Sequence, residues 1–477
     1  MHDPAELARA LPAGFRLGAA TSAFQIEGAD AEDGKGPSSW DVFTREPGRI
    51  VGGADARVST DHYHRFREDV ALLKDLGVDS YRFSISWPRI QPTGQGPVEP
   101  RGLAFYDRLI DELLEAGIRP SATLFHWDTP AALEEKGGWR RRDTAYRFAE
   151  YARIAGEEFG DRVDEWVTIN EISTITLEGY GTGDHAPGLA LSLRALPVAY
   201  HLLLAHGLAV HALREVPVLG RIGVAGVHST VEPATPRLRD RLAASVFDYF
   251  DNRLFVDPIL LGRLPRAPRG AAVLTPLLRL LMRPHRGDLA VISEPIDFYG
   301  MNYYFPSKVA AGPPDASVPF GLSQGAQGGP LHITPWPDHP ATGYGWPVVP
   351  EGLTAVLRMF AQRYGDALPP LVITEGGASY PDAVRPDGTV DDAARIDYLA
   401  RHIAAALAAT PEVDVRGYYV WSLLDNFEWA AGYSQRFGLV HVDFDTLLRT
   451  PKRSYEWLRQ VLAERSRIPD PERDRTT

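Results

Sequence analysis

The sequence predicts an α/β fold: a single (β/α)8 TIM barrel with extended loops after its strands. Three observations carry that prediction. Strand-like and helix-like segments alternate from end to end. Eight strand-like segments can be placed, near 17–23, 81–87, 121–127, 163–170, 221–228, 297–304, 371–375 and 417–423. No G-x-G-x-x-G follows the first of them, so the phosphate loop that usually opens a doubly wound sheet is missing.

The first elements set the pattern. Phe66, Val70 and Leu73 fall at helical spacing within 62–76, and Gly77 stops that helix. Residues 81–87 then alternate strictly. Tyr81, Phe83, Ile85 and Trp87 share the face that packs on helices, while Arg82, Ser84 and Ser86 point into the barrel. A guanidinium buried there requires an anionic partner, which a carboxylate at the barrel mouth supplies. Tyr106, Leu109, Ile110, Leu113 and Leu114 form the next helical stripe, stopped at Gly117, and the strand 121–127 follows. Residues 305–350 are rich in Pro and Gly and carry Trp336, Tyr344 and Trp346, which suggests a functional rim loop rather than a plain connector. The whole of 1–477 is taken as one catalytic domain with its core over 14–462; the polar tail 466–477 is expected to fray.

Composition narrows the function. The absence of cysteine excludes disulfides, thiolate zinc sites and a cysteine nucleophile, and fits a reducing compartment. A net charge of −12 with no basic stripe on a clear face argues against a nucleic-acid partner. The N-terminal residues lack the basic and apolar regions of a signal peptide, and no run approaches the ~18 apolar residues of a membrane span. A cytoplasmic protein without membrane contact is expected.

Barrel active sites sit at the C-terminal ends of the strands. There the sequence places Gln25, Arg82 and Trp87, then His126, Trp127 and Asp128, then Asn170 and Glu171. Asn302, Tyr303, Tyr304 and Glu375 follow, and last Trp421 with Asp425, Asn426, Phe427, Glu428 and Trp429. Two carboxylates flanking a glycosidic bond suffice to cleave it, one protonating the leaving oxygen and the other attacking or activating water. Indole rings suit the apolar faces of sugars. No cluster has metal-ligand spacing, and no cofactor is expected.

In these residues the chain resembles glycoside hydrolase family 1, the β-glucosidase family, over 14–462. The resemblance rests on ordered blocks: Ala20 to Gly28, Asp61 to Arg65, Tyr81 to Arg89, Phe125 to Asp128, His185 to Gly188, Gly300 to Tyr304 and Trp421 to Trp429. It implies a retaining β-glycosidase that removes the non-reducing terminal β-D-glycosyl unit of an unphosphorylated glycoside or oligosaccharide. In this double displacement the carboxyl groups lie about 5–5.5 Å apart. It further implies Glu171 as acid/base and Glu375 as nucleophile. Asn170 would hold the sugar 2-hydroxyl, and Arg82 and Tyr304 would hydrogen-bond Glu375. Gln25, His126, Trp127, Asn302, Glu428 and Trp429 belong to the substrate-binding set, with Trp421 as stacking floor. Relatives acting on 6-phosphosugars carry Ser, Lys and Tyr where this chain has Glu428, Gln435 and Phe437, so a neutral sugar is implied. Glucose, galactose and fucose all stay open. A cis Trp421-Ser422 bond is implied as well.

Two positions depart from the family pattern: Ile172 stands where Pro usually follows the acid/base, and Gly376 where Asn usually follows the nucleophile. These changes are expected to alter rate, aglycone choice or the balance between hydrolysis and sugar transfer, and reverting both tests it. Two rival readings accompany the main one. A non-catalytic or mainly transglycosylating relative would bind without hydrolysing. A metal-dependent hydrolase would use His62 and His64 as an H-x-H pair, although these open a helix. His201, His206 and His211 recur every five residues, which keeps no single helix face.

Overall fold

A computed structural model gives the architecture and describes residues 2–313 and 330–468. Eight parallel strands close a barrel: β1 Arg16–Ala20, β2 Ser80–Ser84, β3 Arg119–Phe125, β4 Glu165–Asn170, β5 Arg221–Val227, β6 Phe298–Asn302, β7 Leu371–Gly376 and β8 Val415–Trp421. Each strand pairs with its neighbours in sequence, and β8 closes on β1 with Trp421 beside Ala20.

All eight predicted strands are present, with shifted ends. The largest shifts are in β1 and β2, whose C-terminal ends each fall three residues early. The alternation of 81–87 holds only to Ser84, because Trp87 and Pro88 open a short helix, Trp87–Ile90. Proline suits that first helical turn and cannot continue a ladder. Outside the barrel, Val231–Pro233, Ser307–Ala311 and Leu331–Ile333 form a small sheet, and Val440–Val442 pairs with Arg449–Pro451. These strands are too short to leave a periodic trace in the sequence.

Helices cover the barrel's outer face, among them His62–Leu76, Pro100–Glu115, Asp143–Phe159 and Leu196–Arg214. Gly77 ends the first in the left-handed conformation at φ 80°, as a C-terminal glycine does. Leu196–Arg214 with the turn before it is long and apolar enough to cross a membrane by composition, but 78% of its apolar 18-residue stretch is buried inside the protein. It is a core helix. Its three histidines have separate partners: His201 meets the Trp139 carbonyl, His206 the Thr168 hydroxyl and His211 the Glu215 carboxylate.

The barrel interior is stacked from Val167, Ala225, Phe298, Val372 and Tyr419 up to Trp421 and Phe437. At its lower end the Tyr419 hydroxyl donates to Glu165 (2.9 Å), which also pairs with Arg16 and Arg221. The filled base leaves the upper end as the place for chemistry.

Candidate active site

Both predicted carboxylates project from irregular strand ends. The β4–β5 register shifts between Val167 and Asn170, and the β7–β6 register shifts between Ile373 and Glu375. Such irregularities re-aim side chains beside active sites. Glu171 follows with a left-handed backbone at φ 52°. Trp127 (φ 79°) and Trp429 (φ 46°) share that conformation. For a non-glycine residue it costs on the order of 1–3 kcal/mol and persists where the surroundings enforce it.

Arg82 is the inward-facing guanidinium that the β2 pattern predicts, and it has the anionic partner it requires. Its Nη1 donates to Glu375 Oε1 (2.8 Å), its Nη2 to Asn170 Oδ1 (2.8 Å), and its Nε to Thr123 Oγ1 (3.1 Å). Tyr304 donates its hydroxyl to Glu375 Oε2 at 2.7 Å. Glu171 has neutral partners only: Asn302 Nδ2 donates to Oε1 and Thr174 Oγ1 to Oε2, both at 2.7 Å. Asn302 is itself oriented by the Thr374 hydroxyl (2.7 Å).

The two carboxyls therefore differ electrostatically. Burial pushes Glu171 up to about 7, and the neighbouring Glu375 charge adds to the rise. Burial also raises Glu375, but Arg82, Tyr304 and Asn302 oppose that rise. A third carboxyl, Glu428, shares the cleft and is pushed up to about 8 by burial and by the other two glutamates.

The predicted sugar-binding residues converge around this pair. The His126 ring lies 5.8 Å from both Trp421 and Trp429, nearly parallel to each. His126 Nε2 is 3.1 Å from Asn170 Nδ2, and Trp127 donates its indole N–H to the Asn170 carbonyl (3.0 Å). Gln25 Nε2 reaches Asn426 Oδ1 (3.1 Å), the Phe427 carbonyl (2.9 Å) and, at 3.5 Å, Glu428 Oε2. The Trp421-Ser422 bond is cis. From the rim loop, Tyr344 stacks on Trp346, which lies 5.2 Å from Tyr304 and 5.8 Å from Phe437. Residues 314–329 of that loop lie outside the described part.

Other strand-end residues face elsewhere. Trp87 stacks on Tyr151 in the core, and Tyr303 donates to the Val349 carbonyl. Asp128 is buried, and burial pushes it up to about 8. His62 is held by Asp69 (2.8 Å), and His64 by Asp61 and Glu32, so the H-x-H pair is split between separate partners. Thr174, Thr123 and Thr374 were not singled out in the sequence. Only the three-residue spacing of Thr174 from Glu171 hinted at a shared helical turn.

A (β/α)8 barrel whose mouth sets one guanidinium-paired carboxyl beside one neutrally bonded carboxyl, under an indole platform, has the apparatus of a retaining β-glycosidase. The chain belongs to glycosyl hydrolase family 1, whose profile matches residues 7–467. It is 43% identical to β-glucosidase A of Thermotoga maritima, over 94% of this chain and 97% of that one. It is 41% identical to the bifunctional β-D-glucosidase/β-D-fucosidase of Bifidobacterium breve, over 95% and 98%. The crystal structure of the psychrophilic β-glucosidase of Micrococcus antarcticus superposes with a TM-score of 0.90 at 45% identity, covering 96% of this chain and 99% of that one. The hydrolytic reading thus holds over the non-catalytic and transglycosylating alternative.

Proposed function

We propose that the protein cleaves unphosphorylated β-D-glycosides from the non-reducing end, with Glu375 as nucleophile and Glu171 as acid/base, acting as one catalytic unit in the cytoplasm. The unequal partnering of the two carboxyls carries this assignment. Glu375, beside Arg82, is the one better stabilised as an anion and suited to attack the anomeric carbon. Glu171, pushed up to about 7, keeps its proton for the glycosidic oxygen.

Glu375 displaces the aglycone to give a glycosyl ester while Glu171 gives up its proton. With the Glu375 charge neutralised, Glu171 becomes the base that activates water, and the ester is hydrolysed with net retention. Asn170, locked between Arg82, Asn302 and His126, faces the sugar 2-hydroxyl. Gln25 and Glu428 take the hydroxyls at the far side of the ring.

Neutral sugars are favoured because Glu428, Gln435 and Phe437 offer a phosphate no cation; Gln435 is itself engaged by Ser379 (2.8 Å). The Bifidobacterium relative's two activities support β-glucosides and β-fucosides as the first substrates to try. The absence of cysteine supports the cytoplasmic placement.

The test is incubation with an activated 2-deoxy-2-fluoro-β-glucoside, followed by intact mass and peptide mapping. One glycosyl adduct on Glu375 is expected, absent from Glu375→Gln. An adduct elsewhere, or none with the gluco and galacto reagents alike, overturns the assignment.

A further inference from the structure

Far from the catalytic pair in sequence, residues 258–287 contain six arginines and no Asp or Glu, in a chain of net charge −12. Arg263, Arg266, Arg269, Arg279, Arg283 and Arg286 are all exposed. Among the described residues none of them is paired with a carboxylate. A cluster of like charges without counter-charges costs the folded chain self-repulsion, so it calls for a partner.

Apolar side chains stand among these guanidiniums. The helix Leu274–Met282 turns Leu278 and Met282 inward, but Leu280 is 70% exposed and Val273, just before the helix, 73%. The neighbouring helix Leu238–Asp248 continues the surface: Leu242 packs against Gly270, Leu238 is 80% exposed, and Arg237 and Arg241 flank them. The Leu238–Asp248 helix thus adjoins the arginine-rich segment at Gly270, and both carry exposed arginines beside exposed branched aliphatics. The sequence reading, which found no basic stripe, missed it because the arginines are irregularly spaced through prolines and turns.

We propose that this face docks the enzyme on an anionic lipid surface, Val273 and Leu280 entering the headgroup region while the arginines pair with lipid phosphates. Basic residues around protruding aliphatics are the composition of an interfacial helix. Protruding aliphatics shed water only against a surface that can take them in. A bilayer's headgroup region can, whereas a flat acidic protein surface cannot. Cytoplasmic leaflets also carry the negative potential that attracts such a cluster. The proposal concerns a surface separate from the catalytic reading and stands or falls independently of it.

The experiment is co-sedimentation of the full-length protein with vesicles of phosphatidylglycerol and phosphatidylcholine, and with phosphatidylcholine alone. Wild type is expected to sediment only with the anionic vesicles and to be released near 1 M salt, where the Debye length falls to about 3 Å. Arg279→Glu with Arg283→Glu lowers the partition by about 100-fold. Val273→Ser with Leu280→Ser weakens binding but leaves its salt dependence. Unchanged thermal unfolding shows that both variants remain folded. Equal binding to neutral vesicles overturns the proposal, as does wild-type binding by the charge-reversed variant. Capture by soluble polyglutamate in preference to vesicles also overturns it and assigns the face to an acidic protein.

Discussion

Glu171 and Glu375 are the same side chain in the same cleft, and what separates their roles is which neighbour donates to each oxygen. Thr174 is the least expected of those neighbours. Its hydroxyl donates to Glu171 Oε2 and stabilises the carboxylate, so it pulls down a group that burial holds near 7. In the proposed reaction glycosylation needs Glu171 protonated, so its rate should fall as pH rises through that pKa. Thr174→Val removes a donor to the charged form. The alkaline limb of kcat/KM should therefore move to higher pH, with Thr174→Ser restoring it. A pH profile on a glycoside with a poor leaving group measures this, and an unmoved limb would reduce Thr174 to a packing residue. Gly376 yields a second prediction. A Cβ there would lie 2.3 Å from the Tyr418 hydroxyl, so the phenol already fills the space an asparagine side chain would take. Gly376→Asn alone should cost about 1–3 kcal/mol by overpacking and impair activity rather than improve it. Urea unfolding measures the loss, and pairing with Tyr418→Phe, which removes the hydroxyl nearest that Cβ without opening a large cavity, should recover part of it. The simple reversion suggested by the family pattern meets this obstacle, which no reading of position 376 alone could foresee.

The elements carrying these residues were legible to different degrees. Arg82 could be placed inside the barrel because period-two alternation assigns faces without any knowledge of loops. Thr174 could not, because its position depends on the left-handed Glu171 and on the turn that follows. The loop after β8 is a stronger case: its motif announced sugar contacts but not what holds it. Lys452, fully buried, donates to Asp425 (2.7 Å) and Asp382 (2.6 Å). Arg436 also reaches Asp425 (2.7 Å), and Arg395 pairs with Asp382 and Asp392. These partners are scattered over 70 positions of sequence separation, out of reach of pattern reasoning. Lys452→Met leaves two buried carboxylates short of a counter-charge and should cost about 3–5 kcal/mol. Because the same loop carries Glu428 and Trp429, KM should rise more than kcat falls. Denaturant unfolding together with steady-state kinetics tests both, and a stable variant with unchanged KM would show that the loop holds itself.

Across the whole molecule, buried titratable groups set how stability depends on pH, and their signs oppose one another. His185, His206, His228 and His402 are pushed down to about 3–4 by burial, and His126 also lies well below its ordinary value. From about pH 4 to 6.5 the unfolded chain binds those protons and the native state does not, so each imidazole makes stability rise with pH. Glu171, Glu178, Glu428, Asp128 and Asp251 act in reverse. Held near 7 or 8, they keep protons that the unfolded chain releases near pH 4, so stability falls with pH until each ionises in the native state. Below about pH 6.5, the ordinary histidine value, the imidazoles and the carboxyls oppose one another and stability should change little. Above it the imidazoles are neutral in both states and only the carboxyls act, so stability should fall between about pH 6.5 and 8. The melting temperature is therefore expected to hold roughly level to about pH 6.5 and to fall from there to about pH 8. Glu428→Gln should flatten the alkaline decline and tilt the acid side upward, since a carboxyl held near 8 opposes stability across both intervals. Calorimetry from pH 4.5 to 8.5 on both proteins decides it. A melting temperature that shows no decline up to about pH 8 would mean that the cleft carboxyls ionise together in the free enzyme, in which case Glu171 would have no proton to give.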